Sequence, residues 1–126
     1  KKALQELNCS VECFMGDEDV ALNAKLEGLT RAAVSMRKSV GVKGKVIYAI
    51  GNAPTALMTL YELMEKRTLN PAFIIGVPVG FVNVVESKEL ILAQNKTPYI
   101  VSLGRKGGST VAAAICNALM YEAIKQ

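Results

Sequence analysis

Residues 45–67, KVIYAIGNAPTALMTLYELMEKR, join two hydrophobic periodicities through one sharp turn. Lys45 to Ile50 form a short, nearly continuous apolar run, the pattern of a strand buried on both faces of a parallel sheet. Gly51 and Asn52 then break it. Pro54 stands where a helix begins, because its fixed φ suits the first turn and its missing N–H has no partner to lose there. Leu57, Leu60, Tyr61 and Met64 follow at spacings of three and four and line one helix face. A strand running through a tight turn into an amphipathic helix is half of a βαβ unit.

The unit recurs twice downstream. PAFIIG (71–76) reads as a strand, GVPVG (76–80) as its exit loop and ESKELILA (86–93) as a helix. PYIVSLG (98–104) is another strand, RKGGS (105–109) its loop, and TVAAAICNALMYEAI (110–124) a small-residue helix able to pack closely on a sheet. Three alternations of strand, loop and helix predict an α/β fold with a mainly parallel sheet, right-handed crossovers and helices on its faces. No linker, low-complexity run or internal repeat divides the chain, so residues 1–126 are read as one domain.

Upstream, CSVECF (9–14) alternates and is expected to be a strand. Asp17 is placed to cap a helix running to about Lys25, with Glu18 and Asp19 in the first turn where the helix dipole favours them. A solvated helix start explains these three acids better than a metal cluster does. Gly28 closes that helix and Thr30 caps the next, whose Ala33, Val34, Met36 and Val40 form a loose apolar stripe. Cys9, Cys13 and Cys116 are odd in number and lack metal-like clustering. They are expected to be buried, reduced thiols of a cytoplasmic protein. The chain has no histidine, so a catalytic thiol would lack its usual activating base and zinc its commonest nitrogen ligand.

With 126 residues and 51% apolar content, the chain can build one ordinary core. Fifteen Lys and Arg against 11 acids give a formal charge of +4, which suits small acidic ligands. The bases are dispersed and aromatics few, which argues against a nucleic-acid groove, and no apolar run reaches the ~18 residues of a membrane span. The chain starts on Lys1, not on methionine, and shows no secretory leader; processing, cloning or cleavage is the expected origin of such a start.

In a parallel sheet, the loops after the strands gather at one edge, where open α/β proteins place ligands. GNAPT (51–55), GVPVG (76–80) and GRKGGS (104–109) would meet there, with helix N-termini offering free amides to an anion. Any one of them alone could be only a strand-to-helix turn. GRKGGST is not a nucleotide phosphate loop, since that pattern needs Lys directly after the late glycine and Gly108 is followed by Ser109. None of the three loops carries a G-x-G-x-x-G dinucleotide fingerprint.

Taken in order, GDEDV (16–20), GLTR (28–31), AIGNAPTAL (49–57), GVPVGFVNVVESKE (76–89) and PYIVSLGRKGGSTVAAAICNAL (98–119) resemble the precorrin isomerases, or precorrin-8X methylmutases, of corrin-ring biosynthesis. The resemblance runs through essentially the whole chain. It implies a three-layer α/β/α fold and a homodimer whose large cleft holds the macrocycle between subunits. It implies an isomerase that moves a methyl group from C-11 to C-12 of precorrin-8X or cobalt-precorrin-8, giving hydrogenobyrinic or cobyrinic acid, with no cofactor consumed. The tetrapyrrole carries acetate and propionate carboxylates that arginines and helix N-termini could meet.

Carried onto this sequence, the resemblance makes Arg31 a substrate contact, although an arginine at a helix start can also simply face solvent or pair with an acid. Asn52 and Thr55 are candidates in the first loop, with turn formation and helix capping as their other readings. Gly80 and Phe81 would wall the flat ring, and Phe81 could equally be core. Glu86 and Ser87 fit a role in starting their helix. Arg105, Gly107, Gly108 and Ser109 form the last anion-binding loop. In the family, a histidine from an N-terminal portion handles the protons of the migration, and this sequence has none. The chain is therefore expected to be the C-terminal portion of a longer enzyme and inactive alone, the alternative being a corrinoid-binding module without catalysis.

Overall fold

The computed structural model describes residues 2–125. A short helix α1 (Lys2–Glu6) is followed by α2 (Glu18–Glu27) and α3 (Arg31–Lys38), then by β1 (Ile47–Ile50), α4 (Pro54–Glu65), β2 (Phe73–Gly76), α5 (Val84–Ala93), β3 (Tyr99–Val101) and α6 (Ser109–Lys125). The three strands are parallel and lie in chain order, β1-β2-β3. Pro54 occupies the first turn of α4 as its fixed φ favours, and all three strand–loop–helix units form.

The register sorts the side chains onto two faces. Tyr48, Ile50 and Ile74 point to one side, where α3, α4 and α5 supply Ala32, Leu57, Leu60 and Ile91 to the main core. Full burial of side chains such as Leu57 and Leu60 contributes roughly 1.5–3 kcal/mol each. On the opposite side Ile75 and Val77 meet Ala112, Ile115 and Cys116 of α6. Helices thus cover both faces, but unequally. Among the described residues only α6 packs its side chains against the second face, and Ile47 remains 58% exposed. This corrects the expectation that β1 is buried on both sides; an apolar run of four residues does not reveal whether anything covers its far face.

Two further expectations fail near the start of the chain. Residues 9–14 form no strand, and Cys9 and Cys13 are exposed while Cys116 is half-buried. Alternation alone does not make a strand without a neighbour to accept its backbone hydrogen bonds. Gly28 does close α2 in the left-handed conformation (φ 68°), and the Thr30 hydroxyl caps α3 by accepting the Ala33 N–H at 3.1 Å. Val40, expected in the apolar stripe of α3, lies in a 3-10 turn beyond it and stays partly exposed.

Asp17 precedes α2 as expected, but its side chain makes no capping bond. Instead Lys38 Nζ donates to Asp17 Oδ2 at 2.6 Å and to Asp19 Oδ1 at 2.9 Å, above the Phe14 ring, and so ties α2 to the end of α3. The Lys38 hydrogen bond lowers the Asp19 pKa, and the bonds to Asp17 and Asp19 raise that of Lys38. The signs follow by linkage. The Asp19 contribution is present above the ordinary carboxylate value of 3.8 and is lost as pH falls through its depressed folded value. The Lys38 contribution is present below 10.5 and is lost as pH rises through its raised folded value. In Lys38→Met the melting temperature should vary less with pH on both flanks, with a small effect at neutral pH because these groups are solvated. A melting-temperature profile as steep as that of the parent protein would remove Lys38 as the cause. Among the described residues, no helix is long and apolar enough to cross a membrane.

Candidate functional site

The loops after β1, β2 and β3 do meet at one edge of the sheet, and backbone contacts lock them together. The Val77 N–H donates to Ile50 O at 2.8 Å and the Val79 N–H to Asn52 O at 3.1 Å, joining the first two loops. The Gly108 N–H donates to Val77 O at 2.9 Å, joining the third. Two glycines make this approach possible. A Cβ on Gly107 would sit 2.2 Å from Val77 O, and one on Gly51 would sit 2.7 Å from the Ser109 Cα. Chain leaving β3 can therefore cross beneath the first two loops and start α6 on the second face.

The predicted residues take definite places along this edge. Asn52 is exposed, and its carbonyl accepts from the second loop. Thr55 is not the cap of α4, since Ala53 holds that position. The Thr55 hydroxyl lies 3.1 Å from that of Thr30, which bonds the start of α3 to the start of α4. That contact brings Arg31, the first residue of α3, to the β1 flank of the edge, with its side chain exposed. Arg105 projects from the loop after β3, on the other flank. Two strand spacings of about 4.8 Å separate the outer strands below them.

Between the flanks, Gly80 has φ 126°, and the bend that it permits carries Phe81 out into solvent, 86% exposed. Phe81 is thus not core. Val82 beside it and Leu103 in the third loop are also exposed, so the edge is apolar in the middle and cationic at both flanks. Gly107 and Gly108 have positive φ, and Ser109 opens α6. Ser87 is buried and donates to Val84 O at 2.8 Å, and Glu86 lies exposed in the first turn of α5, so both serve the helix as expected.

Sequence reasoning missed Lys88. The stretch ESKE reads as a solvated helix turn, yet Lys88 is only 2% exposed and its ammonium donates to oxygens of the third loop. Only the tertiary fold, which leans residues 102–106 on α5, could reveal it. A separate hollow lined by Tyr61, Arg67, Asn70, Gln94 and Thr97 lies at the other end of the sheet, remote from all three loops. At the loop edge, exposed apolar side chains thus stand beside exposed arginines.

Known proteins resemble this chain over most of its length. The sequence profile described as Precorrin-8X methylmutase matches residues 1–122. The chain is 47% identical over 130 residues to a cobalt-precorrin-8 methylmutase of Leptospira interrogans, covering 98% of this chain and 59% of that protein. It is 44% identical over 114 residues to a precorrin-8X methylmutase of Pseudomonas aeruginosa, covering 89% and 54%. Among solved structures, a precorrin-8X methylmutase from Thermus thermophilus superposes with a TM-score of 0.82 at 34% identity, over 95% of this chain and 57% of that one. The chain spans about half the length of the curated relatives it matches.

Proposed function

Because the chain belongs to the precorrin-8X methylmutase family, we propose that its loop edge binds a corrin-ring substrate for the methylmutase reaction, the shift of a methyl group from C-11 to C-12. The observation that carries this reading is the interlocked edge itself, with exposed Arg31 and Arg105 on its flanks and Phe81 between them. Phe81 and Gly80 offer a surface to the flat macrocycle. Arg31 and Arg105 meet its peripheral carboxylates, and the loop from Gly107 to Ser109 adds backbone amides at the start of α6. Asn52 and Thr55 complete the β1 side.

The 126 residues contain no histidine, and a proton-assisted migration calls for a group that titrates near neutrality. We therefore read this portion as supplying recognition and not the acid–base step, so that by itself it binds the corrin without isomerising it. The protein is further read as a cytoplasmic homodimer. Support for the dimer comes from the thinly covered second face of the sheet, where Ile47, Ala49 and Ile100 remain exposed. Light scattering that finds a monomer at tens of micromolar would remove the dimer from the account.

The test is a titration with cobyrinic acid followed through the absorption bands of the corrin. Saturable binding is expected, and Arg105→Ala should weaken it about tenfold, which is ~1.4 kcal/mol. Arg31→Ala should act similarly. No binding by the parent protein, or equal affinity in both variants and the parent, would overturn the assignment of this edge.

A further inference from the structure

Lys88 lies in α5, outside every loop to which substrate contact is assigned above, and is the least exposed charged residue among those described. Its Nζ donates to Gly104 O at 2.7 Å, to Lys106 O at 2.7 Å and to Ser102 Oγ at 3.2 Å. An ammonium has three N–H donors, and here each has an acceptor. None of the acceptors is a carboxylate, and Lys88 belongs to no ion pair among the described residues. A cation is held out of water by neutral dipoles, and burial accordingly pushes its pKa down. Ser102 Oγ closes the arrangement by donating to Lys106 O at 2.5 Å.

What this does to the loop follows from peptide geometry. In a planar trans peptide the C=O and the N–H point in opposite directions. The carbonyl of Gly104 is turned onto Lys88, so the N–H of Arg105, in the same peptide plane, is turned away from it. The carbonyl of Lys106 is likewise drawn in, and the N–H of Gly107 is turned out. Among the described residues neither of these amides donates to a protein acceptor, whereas the next one, Gly108 N–H, is bonded to Val77 O. Lys88 thereby selects one of the two ways each peptide could face. It also leaves its own positive charge directly behind amides that face the other way.

We infer that Lys88 is a positioning residue for carboxylate recognition: it orients the Arg105 and Gly107 amides outward and makes the site prefer an acidic corrin rim over a neutral amide one. This rests on the proposed assignment of the loop edge to corrin binding. It deepens that assignment by naming the feature of the substrate that is read.

The experiment uses Lys88→Met, which keeps the length of the side chain and removes the charge and donors, together with Ser102→Ala, which removes one of the three acceptors and the hydroxyl's own bond to Lys106 O. Two probes share the corrin ring, namely cobyrinic acid with free carboxylates and cobinamide with amides in their place. In Lys88→Met the affinity for cobyrinic acid should fall about tenfold or more while that for cobinamide changes by less than about twofold. Ser102→Ala should show the same pattern at roughly two- to threefold. Equal losses for both probes, or none for either, overturn the inference. Amide hydrogen exchange supplies a readout independent of any corrin. The Gly108 amide, bonded to Val77 O, should exchange at least about tenfold faster in Lys88→Met, with the β1 and β2 amides unchanged. If the parent protein binds neither probe, the corrin assignment falls, and the exchange result still decides whether Lys88 positions the loop. Should Lys88→Met not melt cooperatively, the exchange of the Gly108 amide in Ser102→Ala decides in its place: an unchanged rate overturns the inference.

Discussion

Replacing Gly107 by alanine lowers the stability of the protein by about 3–4 kcal/mol, a large effect for one methyl group. Two costs add. Gly107 has φ 158°, on the side of the backbone map where a Cβ is strained, and its backbone lies against the end of β2. The new Cβ would stand 2.2 Å from Val77 O, 2.8 Å from Val77 C and 3.0 Å from Pro78 O. None of these is a side chain that can swing aside. The loop must lift, and lifting it breaks the Gly108 N–H to Val77 O bond that docks the third loop on the second. Urea denaturation measures the loss. Gly16→Ala is the control, because a Cβ there meets nothing within 4 Å, and it should change stability by less than about 0.5 kcal/mol. A cost below about 1 kcal/mol for Gly107→Ala would mean that the close approach of the loops is not needed.

Leu57→Ala comes next in size, at about 3 kcal/mol. Leu57 is fully buried on α4, in the main core between the sheet and the helices over it. Its two methyl groups also lie beside Gly76: a Cβ added there would be 3.4 Å from Leu57 Cδ2 and 3.5 Å from Leu57 Cδ1. That contact gives the prediction a second part. Gly76→Ala alone presses on Leu57 and on Val101, but combined with Leu57→Ala it fills part of the vacated space. The double variant should be more stable than the sum of the two single losses implies, by about 0.5 kcal/mol or more. Strict additivity would show that the helix simply settles onto the sheet and leaves no space to fill.

Much of this architecture can be read directly from residues. Pro54 after Ile50 and the Leu57–Leu60 spacing are local features, and local features specified the repeating unit, its helix starts and the parallel order of the strands. What lies across the sheet is not local. Ile47 is as apolar as Ile50, and its exposure depends on how much of the second face α6 covers. The alternation of residues 9–14 was misleading for a similar reason, because a strand is a relation between two segments.

The candidate site divides along the same line. The three glycine loops were legible because glycine and proline mark turns whatever their surroundings. Arg31 had only the family resemblance to recommend it, since nothing in its neighbourhood signals that Thr30 will meet Thr55 some 25 positions away. Lys88 was invisible, for its surroundings are made by carbonyls 16 and 18 positions further on.

The strand order β1-β2-β3 has a consequence for how the chain comes into being. Each strand pairs with the one just before it, through a crossover holding a single helix. As a ribosome releases the chain from its N-terminal end, β2 finds β1 already made, and β3 finds β2. Helix α6, the last of these elements to emerge, reaches back beneath strands already in place, so the Arg105 loop takes its final shape only after the sheet has formed.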